Sequence, residues 1–388
     1  MLNDRHEPFQ SVTDPAAALV RQTRRTRRSP FTHLVGEHGV KAWTVYNHML
    51  LPGAIHGLEE DYRHLKTAVQ VWDVAAERQV EIEGLDAARL VQWMTPRRVA
   101  DAPVLTCLYA PVCDENGGLL NDPLLLRPDE RRWWVSIADT DVLLWAKGLA
   151  AGAGLDVTVR EPDVHPLAVQ GPRADELMAR VFGAAVTELK FFRAGVFEGP
   201  GGPHVVARCG WSGQGGFEVF VEGWERCEPL WNALFEAGGD LDVGVGCPNG
   251  IERIEAGLLS YGNDMTIHDT PFEAGLGRYV DLEADSLAAE ALRARGEPTR
   301  MLRGLVFDEG PLPHLVQRWR IVGEDGADGA PGHVTSAAHS PDFGRGIAIA
   351  MVRRDLWEPG TRVSVDLPGG EERGARVAAL PLKSLLPG

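Results

Sequence analysis

Two acidic residues in glycine-rich turns are the side chains of this sequence best placed to do chemistry. The first, Asp122, closes the string Gly117-Gly-Leu-Leu-Asn-Asp122-Pro, which is typical of a hairpin tip followed by proline. A carboxylate held by a rigid turn has a fixed direction, so it could accept a hydrogen bond from an amine and orient that amine. An ordinary turn aspartate has the same pattern, and this string alone leaves both interpretations open.

The second acid, Glu218, follows a loop with four glycines between residues 210 and 218, and Trp211 lies in the same loop. Glycines allow the backbone to approach a flat ligand closely. A buried carboxylate on the following strand could then accept two N–H donors from a heterocycle in a charge-assisted arrangement. The alternative is a flexible loop with one exposed glutamate.

A third string carries further candidates but is structural when taken alone. It runs from residue 251 to 264, contains Arg253 and Tyr261, and reads as a helix that ends in a turn. The sequence contains no HExxH, no GxxxxGK[ST] and no GxSxG motif, and its histidines lack metal-ligand spacing. We therefore expect no metal, and the acidic and aromatic residues remain as the chemical candidates.

Composition limits the classes of partner and the compartment. Among the 388 residues, 39 Lys and Arg stand against 55 Asp and Glu, a net charge of −16 that disfavours nucleic-acid binding. The five cysteines include no CxxC pair, which favours a reducing compartment. With no signal peptide and no apolar run approaching the roughly 20 residues of a membrane span, we expect a cytoplasmic protein without a membrane partner.

The elements that must position these side chains follow from the hydrophobic periodicity. Helical spacing predicts helices over 58–69, 87–94, 139–149, 172–182 and 229–236. Alternation and turn residues predict strands over 78–83, 105–112, 119–126, 132–137, 166–171, 205–209 and 217–222. The order of strands and helices recurs, so residues 41–299 are interpreted as a duplicated α+β region of two domains, although no residue-level repeat supports the duplication.

The two ends of the chain differ from this region. Residues 1–40 form a basic N-terminal segment that includes Arg21, Arg24, Arg25, Arg27 and Arg28. We interpret it as a solvated arm or a helix lying on the acidic body, with a nucleic-acid contact as the minor alternative. Residues 300–388 contain five short strands separated by Gly, Pro and Asp, over 302–307, 318–322, 333–336, 347–352 and 362–366. That pattern predicts a small antiparallel β-barrel.

In this order and spacing, the three strings resemble those of the folate-dependent aminomethyltransferase family, which includes the glycine cleavage T-protein and the dimethylsulfoniopropionate demethylases. The resemblance runs from about Trp43 to the C-terminus and includes Trp72-Asp-Val, Gly332-His-Val-Thr-Ser336 and Ile347-Ala-Ile-Ala350. It implies an α+β fold in which three domains form a cloverleaf around a central channel that binds tetrahydrofolate, with the C-terminal barrel as the third domain.

The resemblance also implies roles for individual residues. Asp122 matches the catalytic acid beside the reactive pterin nitrogen, N5, and needs no strongly shifted pKa for that role. Glu218 matches the carboxylate that holds the pterin ring. The neighbouring strings imply three more cofactor-binding residues, Trp211, Arg253 and Tyr261.

Departures from the T-protein pattern indicate the branch. Trp211 replaces a tyrosine, Gln214 replaces a glutamate, Cys247-Pro-Asn249-Gly replaces a Gly-Ala-Arg-Asp string, and Ala75-Ala76-Glu77 replaces Ser-His-Met. Together with the string from Tyr46 to Pro52, these changes resemble the demethylase branch and disfavour a lipoyl carrier protein as partner. The Lys-x-Cys-Tyr-x-Gly-Gln-Glu string of folate-binding iron–sulfur assembly proteins is missing, which disfavours a non-enzymatic role.

The expected function is therefore transfer of a methyl group from a small donor, such as a dimethylsulfoniopropionate-like sulfonium, to N5 of tetrahydrofolate, giving 5-methyltetrahydrofolate. Aromatic faces can bind a sulfonium, and we assign donor binding to Tyr46, Trp72 and His48, with Trp211 also a candidate for the aromatic wall of the donor site. Two alternatives stay open: an aminomethyltransferase or a demethylase of a methylated amine or aryl methyl ether, and a non-catalytic folate-binding protein. A homodimer is a further expectation.

Overall fold

The computed structural model describes residues 23–322 and 331–386. The first part of the chain contains α1 (Thr32–Gly36), β1 (Ala42–Tyr46), β2 (Met49–Ala54), α2 (Leu58–Thr67), β3 (Val69–Asp73), β4 (Gln79–Gly84), α3 (Ala87–Met94), β5 (Cys107–Tyr109), β6 (Val112–Cys113), β7 (Leu119–Asn121), β8 (Leu124–Asp129), β9 (Arg132–Ser136), α4 (Val142–Ala153) and β10 (Val157–Arg160). The middle contains β11 (Val164–Gln170), α5 (Ala174–Phe182), β12 (Ala194–Gly199), β13 (Gly202–Ala207), β14 (Gly216–Glu222), α6 (Cys227–Ala237), β15 (Val243–Gly246), α7 (Gly250–Glu255) and α8 (Ala289–Arg295). The last part contains β16 (Arg300–Phe307), β17 (Trp319–Val322), β18 (Gly332–Ser340), β19 (Arg345–Arg353), β20 (Arg362–Leu367) and β21 (Glu371–Ala378).

The first sheet is antiparallel and has five strands in the order β10-β4-β9-β8-β5. Its strands alternate, so that Ile82 and Val135 lie on the face that packs against α3 and α4. Helix α3 buries Leu90 and Val91 in this core because its apolar residues recur at helical spacing. The opposite face of the sheet carries Gln79, with polar and aromatic neighbours, and turns toward the second sheet.

The second sheet has six strands in the order β12-β13-β14-β11-β3-β15. All neighbours are antiparallel except β15 and β3, which run parallel. Helices α5 and α6 cover its outer face and share a core with apolar residues of β3, β11 and β14. Strand β3 comes from the first part of the chain, so the two sheets are interleaved in sequence.

The inner faces of the two sheets pack against each other. Trp134 of the first sheet stacks on Phe220 of the second with ring centroids 5.8 Å apart, and Cys107 and Cys209 lie in the same apolar cluster. Toward one end of this interface the inner faces become polar. That end holds the candidate site.

Residues 300–378 include a closed antiparallel barrel of six strands in the order β16-β19-β18-β17-β20-β21. The barrel contacts the rest of the protein through α7, where Ile254 shares a core with Ile347 and Ile349. The predicted α+β class with a C-terminal antiparallel barrel is confirmed. The sixth strand, β21, was not predicted because its Glu371-Glu-Arg-Gly stretch is polar and mostly exposed.

Several elements differ from the sequence-based expectation. The expected long hairpin over 105–112 and 119–126 is divided into four short strands, because Pro111 and Pro123 cannot donate backbone hydrogen bonds to a neighbouring strand. The helix expected over 58–69 ends at Thr67, and the next residues form the buried strand β3. The Ala-rich segment 282–299 is helical only over α8.

The basic N-terminal segment is partly integrated into the fold. Residues 1–22, including Arg21, lie outside the described residues. Arg27 forms an ion pair with Glu161 of the body, at 2.6 Å between Nη2 and Oε1. The segment expected to be an arm instead contributes Phe31 to the core of the second sheet, because its ring packs against Trp231 and is fully buried.

Two kinds of feature are missing from the described part of the chain. No helix within 23–322 and 331–386 is long and apolar enough to cross a bilayer. Over the same ranges, no group of three or more His, Cys, Asp and Glu side chains is arranged to hold a metal ion.

Candidate functional site

Asp122 lies directly after β7, where its neighbour Asn121 fixes the backbone. The buried Asn121 side chain accepts a hydrogen bond from the Ala138 amide at 2.9 Å, and its Nδ2 donates to the Ala138 carbonyl at 3.0 Å and to Thr140 Oγ1 at 2.7 Å. These bonds attach the loop that carries Asp122 to the segment following β9. Pro123 then stiffens the turn.

The environment of Asp122 changes its acidity. Its side chain is half-buried, and Tyr109 Oη donates a hydrogen bond to Oδ2 at 2.8 Å. Burial raises the pKa of Asp122 to about 7, the Tyr109 hydrogen bond opposes that rise, and the Asp264 carboxylate adds to it. With this pKa, Asp122 changes its charge near neutral pH. The increase in pKa is larger than its expected role requires.

Glu218 lies on β14 and faces inward between the two sheets. Its side chain is buried, and Cys209 Sγ donates to its Oε2 at 3.1 Å. Burial raises the pKa of Glu218, while the Cys209 hydrogen bond opposes the rise. A carboxylate with two oxygens has room for more donors than one weak thiol, so Glu218 could accept N–H groups from a ligand.

Tyr46 reaches the same region from the end of β1. The following residue, Asn47, donates from Nδ2 to the carbonyls of Ala76 and Ile137, at 3.0 and 3.2 Å. These bonds hold the β1–β2 hairpin against the first sheet. Burial raises the pKa of the half-buried Tyr46 phenol, and the nearby carboxylates of Glu77 and Asp122 raise it further.

Glu77 belongs to this group, although its sequence context had indicated only a departure from the T-protein pattern. Burial raises its pKa well above the ordinary value, the Glu218 carboxylate adds to the rise, Ser136 opposes it and Asp122 adds again. The available sequence signal was an acidic residue directly after the mostly apolar run 69–76. Tyr109, the hydrogen-bond donor to Asp122, was also missed.

Arg253 forms an ion pair with Asp264. Its Nη1 lies 2.5 Å from Asp264 Oδ2, and its Nη2 donates to Ser336 Oγ on the barrel. Both Arg253 and Asp264 are buried. The Arg253 guanidinium lies 5.9 Å from the centroid of the Trp211 ring. Through these contacts Arg253 connects α7 with the Trp211 loop and with the barrel.

The side chains of Trp211 and Tyr261 both donate hydrogen bonds to backbone carbonyls. Trp211 Nε1 donates to the Leu259 carbonyl at 3.2 Å, and Tyr261 Oη donates to the Leu119 carbonyl at 2.8 Å. Burial raises the pKa of Tyr261 to about 12, and Asp122 is its foremost electrostatic neighbour. Tyr261 thus lies beside the loop that carries Asp122.

The remaining expected donor-binding residues occupy different positions. Trp72 is buried on the inner face of β3, where its Nε1 donates to Gln70 Oε1 at 2.8 Å. Register places Trp72 and Glu218 on the same face, because both pair with Ala168. His48 lies exposed in the β1–β2 turn, and its carbonyl accepts a hydrogen bond from the Arg27 amide at 2.7 Å.

The structure therefore brings Tyr46, Asp122, Tyr261 and Glu218 into one region, which also contains Glu77. This arrangement offers a carboxyl that titrates near neutrality, a second carboxyl with spare acceptor capacity, and an aromatic face. Such groups can orient an amine, hold a heterocycle and bind a cation. The geometry fits a reaction that depends on positioning more than on a strong acid or base.

Comparison with known proteins agrees with this geometry. The chain matches the GCVT N-terminal domain over residues 32–284 and the glycine cleavage T-protein C-terminal barrel domain over residues 300–383. It is 51% identical over 359 residues to the dimethylsulfoniopropionate demethylase DmdA of Ruegeria pomeroyi, covering 91% of this chain and 96% of the relative. It is 34% identical over 337 residues to an aminomethyltransferase of Streptomyces coelicolor, covering 83% and 88%.

A solved structure shows the same architecture. The glycine cleavage system aminomethyltransferase T of Bartonella henselae superimposes with a TM-score of 0.81 at 24% identity, over 92% of this chain and 98% of that one. At this identity the likeness establishes the fold and confirms the predicted aminomethyltransferase type. The chain belongs to the glycine cleavage T-protein family of aminomethyltransferases, which confirms the predicted family, enzyme class and tetrahydrofolate cofactor.

Proposed function

We propose that this protein is a demethylase that transfers one methyl group from dimethylsulfoniopropionate, or a closely similar sulfonium, to N5 of tetrahydrofolate. The observation that carries the proposal is the position of Asp122, a half-buried carboxyl with a neutral hydrogen-bond partner beside Tyr46 and Glu77. The demethylase relative at 51% identity supports the choice of donor. The products would be 5-methyltetrahydrofolate, a neutral thioether and the proton that N5 releases on methylation.

The residues present fit a reduced pterin. Glu218 is buried and has only a thiol as its described donor, so N–H groups of a pterin would supply the charge-assisted bonds that a buried carboxylate needs. Trp211, on the loop before β14, is placed to contact the ring or the donor. We propose Glu218 as the main polar contact and Trp211 as a wall of the site.

Asp122 is the proposed catalytic residue. Bound tetrahydrofolate supplies the N5 lone pair that accepts the methyl group. Asp122 would accept a hydrogen bond at this nitrogen and stabilise positive charge that develops there, directly or through one water. With a pKa of about 7, a substantial fraction of Asp122 is already ionised at neutral pH, and Tyr109 holds its carboxyl in one orientation.

Arg253 and Tyr261 are proposed to hold the elements around the cofactor site in position. Arg253 holds Asp264 and Ser336, so it fixes the distance between α7 and the barrel. Tyr261 holds the Leu119 carbonyl, three residues before Asp122. Both residues would therefore position the cofactor site, whether or not they touch the folate.

The methyl donor is proposed to bind near Tyr46, whose phenol lies near the carboxyls of Glu77 and Asp122. Trp72 on β3 and His48 at the hairpin turn are retained as further proposed donor contacts. The donor is a free small molecule in this proposal, without a lipoyl carrier protein, because Ala75-Ala76-Glu77 replaces the T-protein residues after the first strand. We retain a homodimer and a cytoplasmic location as proposals.

The experiment is a donor panel. Purified protein is incubated with tetrahydrofolate and either dimethylsulfoniopropionate, a methylated amine, an aryl methyl ether or an aminomethyl donor, and folate products are separated by chromatography. The proposal predicts 5-methyltetrahydrofolate with the sulfonium. Transfer from another donor class alone would replace the proposed substrate, and folate binding without turnover on any donor would support a binding protein.

A further inference from the structure

Glu77 is held at the edge of the site by a chain of hydrogen bonds. Its carboxylate Oε2 accepts from Ser136 Oγ at 3.2 Å, and Ser136 Oγ accepts from Gln79 Nε2 at 2.7 Å. Its backbone is fixed as well, because the Glu77 amide donates to the Val74 carbonyl at 2.9 Å and the Ile137 amide donates to the Glu77 carbonyl at 3.2 Å. The carboxylate therefore has a defined place.

The hairpin that carries Tyr46 and the loop that carries Asp122 both lie near this carboxylate. Asn47 holds the hairpin of Tyr46 on the Ala76 and Ile137 carbonyls, and Asn121 attaches the Asp122 loop just beyond the end of β9. Glu77, Tyr46 and Asp122 each remain partly accessible to solvent. The Glu77 and Asp122 carboxylates both raise the pKa of the Tyr46 phenol, so these three side chains lie close together.

A buried acceptor beside Glu77 lacks a partner. Gln79 is 1% exposed and uses its Nε2 for Ser136 and for the Glu77 carbonyl. Among the described residues, nothing donates to its Oε1. An unmatched buried acceptor is costly, and its partial negative charge adds to the negative potential beside the Glu77 carboxylate, which a cation would relieve.

We propose that Glu77, with Gln79 and the Tyr46 ring beside it, binds the cationic sulfur of the methyl donor and selects charged over neutral donors. This inference rests on the proposed function. A sulfonium has no N–H or O–H to donate, so it is recognised through charge, oxygen dipoles and aromatic faces. The three carboxyls of this group, Glu77, Asp122 and Glu218, have neutral hydrogen-bond partners, namely Ser136, Tyr109 and Cys209.

Charge repulsion among the carboxyls supports the same assignment. The Glu218 and Asp122 carboxylates both raise the pKa of Glu77 beyond the effect of burial. A cation placed among these groups would relieve that repulsion and favour the ionised form of Glu77. Donor binding and the negative charge on Glu77 would therefore stabilise each other.

The chemistry of the donor separates this role from catalysis. When the carbon–sulfur bond breaks, its electron pair stays on sulfur and the donor becomes a neutral thioether. The attraction to Glu77 is therefore strongest before reaction and weakens along the reaction path. An interaction of this kind lowers KM without raising kcat, unlike the interaction proposed for Asp122.

The test compares two ligands of the same shape. Dimethylsulfoniopropionate and 4-methylpentanoate differ in having a positively charged sulfur or a neutral CH at the same position. Their dissociation constants are measured by calorimetry on the wild type, on Glu77→Gln and on Glu77→Asp, without tetrahydrofolate so that no turnover occurs. Glu83→Gln is the matched control, because Glu83 lies on β4 with an exposed side chain.

We expect Glu77→Gln to weaken sulfonium binding at least tenfold, or about 1.4 kcal/mol, and to leave 4-methylpentanoate within about twofold. In turnover assays KM should rise by the same factor with kcat unchanged or higher, and Glu77→Asp should recover part of the affinity. An equal loss for both ligands, or unchanged discrimination, would overturn the role of Glu77. A wild type that neither binds nor demethylates the sulfonium would instead overturn the proposed function, and this inference with it.

Discussion

Replacing Asp122 with asparagine removes the charge and keeps the shape of the proposed catalytic residue. The amide oxygen of asparagine can still accept the 2.8 Å hydrogen bond from Tyr109 Oη, and the anchor through Asn121 is untouched. We therefore expect Asp122→Asn to fold and to bind tetrahydrofolate within a few-fold of the wild type. Turnover should fall by about two orders of magnitude or more, the loss typical of a positioned electrostatic group.

The same substitution should stabilise the folded protein above neutral pH. Burial raises the pKa of Asp122 from 3.8 to about 7, and each unit corresponds to about 1.4 kcal/mol. Because the folded-state pKa is the higher one, the stabilising contribution is complete below pH 3.8 and is lost as the pH rises to about 7. The ionised carboxyl then costs up to about 4 kcal/mol, which asparagine avoids.

The assay combines urea unfolding at several pH values with steady-state turnover. At pH 8 the free energy of unfolding of Asp122→Asn should exceed that of the wild type by about 1 to 4 kcal/mol, and the difference should shrink toward pH 4. Asp129→Asn, at the exposed end of β8, serves as control and should change neither quantity. Near-normal turnover in Asp122→Asn would refute the catalytic assignment, and a variant less stable at pH 8 would refute the burial argument.

Three further substitutions test the remaining groups. Glu218→Ala should weaken tetrahydrofolate binding by about 2 to 4 kcal/mol, measured by titration, while the melting temperature without ligand changes much less; equal losses with and without ligand would mark Glu218 as structural. Trp211→Ala should weaken donor binding about tenfold with little change for tetrahydrofolate if its ring forms a wall of the donor site, and a loss confined to folate would leave Trp211 with only the cofactor-binding role that the resemblance implies. Arg253→Met should lower the free energy of unfolding by about 3 to 5 kcal/mol because it leaves Asp264 buried without its partner, and a loss below about 1 kcal/mol in chemical denaturation would show that the ion pair is dispensable.

Local periodicity was sufficient for much of the fold. The helix over Ala87–Met94 was predicted with its observed bounds, because the spacing of the apolar residues in an amphipathic helix indicates which face is buried. Five barrel strands were predicted at nearly their observed positions because Gly, Pro and Asp separate them. The interleaving of the sheets was not predictable in this way, because the pairing of β3 with β15 joins residues about 170 positions apart.

The candidate site was predicted only in part, because some of its residues stand in distinctive local strings and others do not. Asp122 and Glu218 stand in glycine-rich strings that mark unusual backbone, and the structure places both in one region. Glu77 carries no such local mark, since its significance comes from Ser136 and Gln79 on neighbouring strands and from carboxyls distant in sequence. The predicted boundary near residue 299 remains a proposal about domains, and β16 begins at Arg300.

The central claim is direct transfer of an intact methyl group from a sulfonium to tetrahydrofolate. The measurement uses dimethylsulfoniopropionate with two trideuteromethyl groups on sulfur, tetrahydrofolate and purified enzyme, followed by mass spectrometry of the folate product. The account predicts 5-methyltetrahydrofolate carrying three deuterium atoms, with equal amounts of the thioether. A product that retains fewer deuterium atoms, or a methylene-level folate in place of the methyl product, would contradict it.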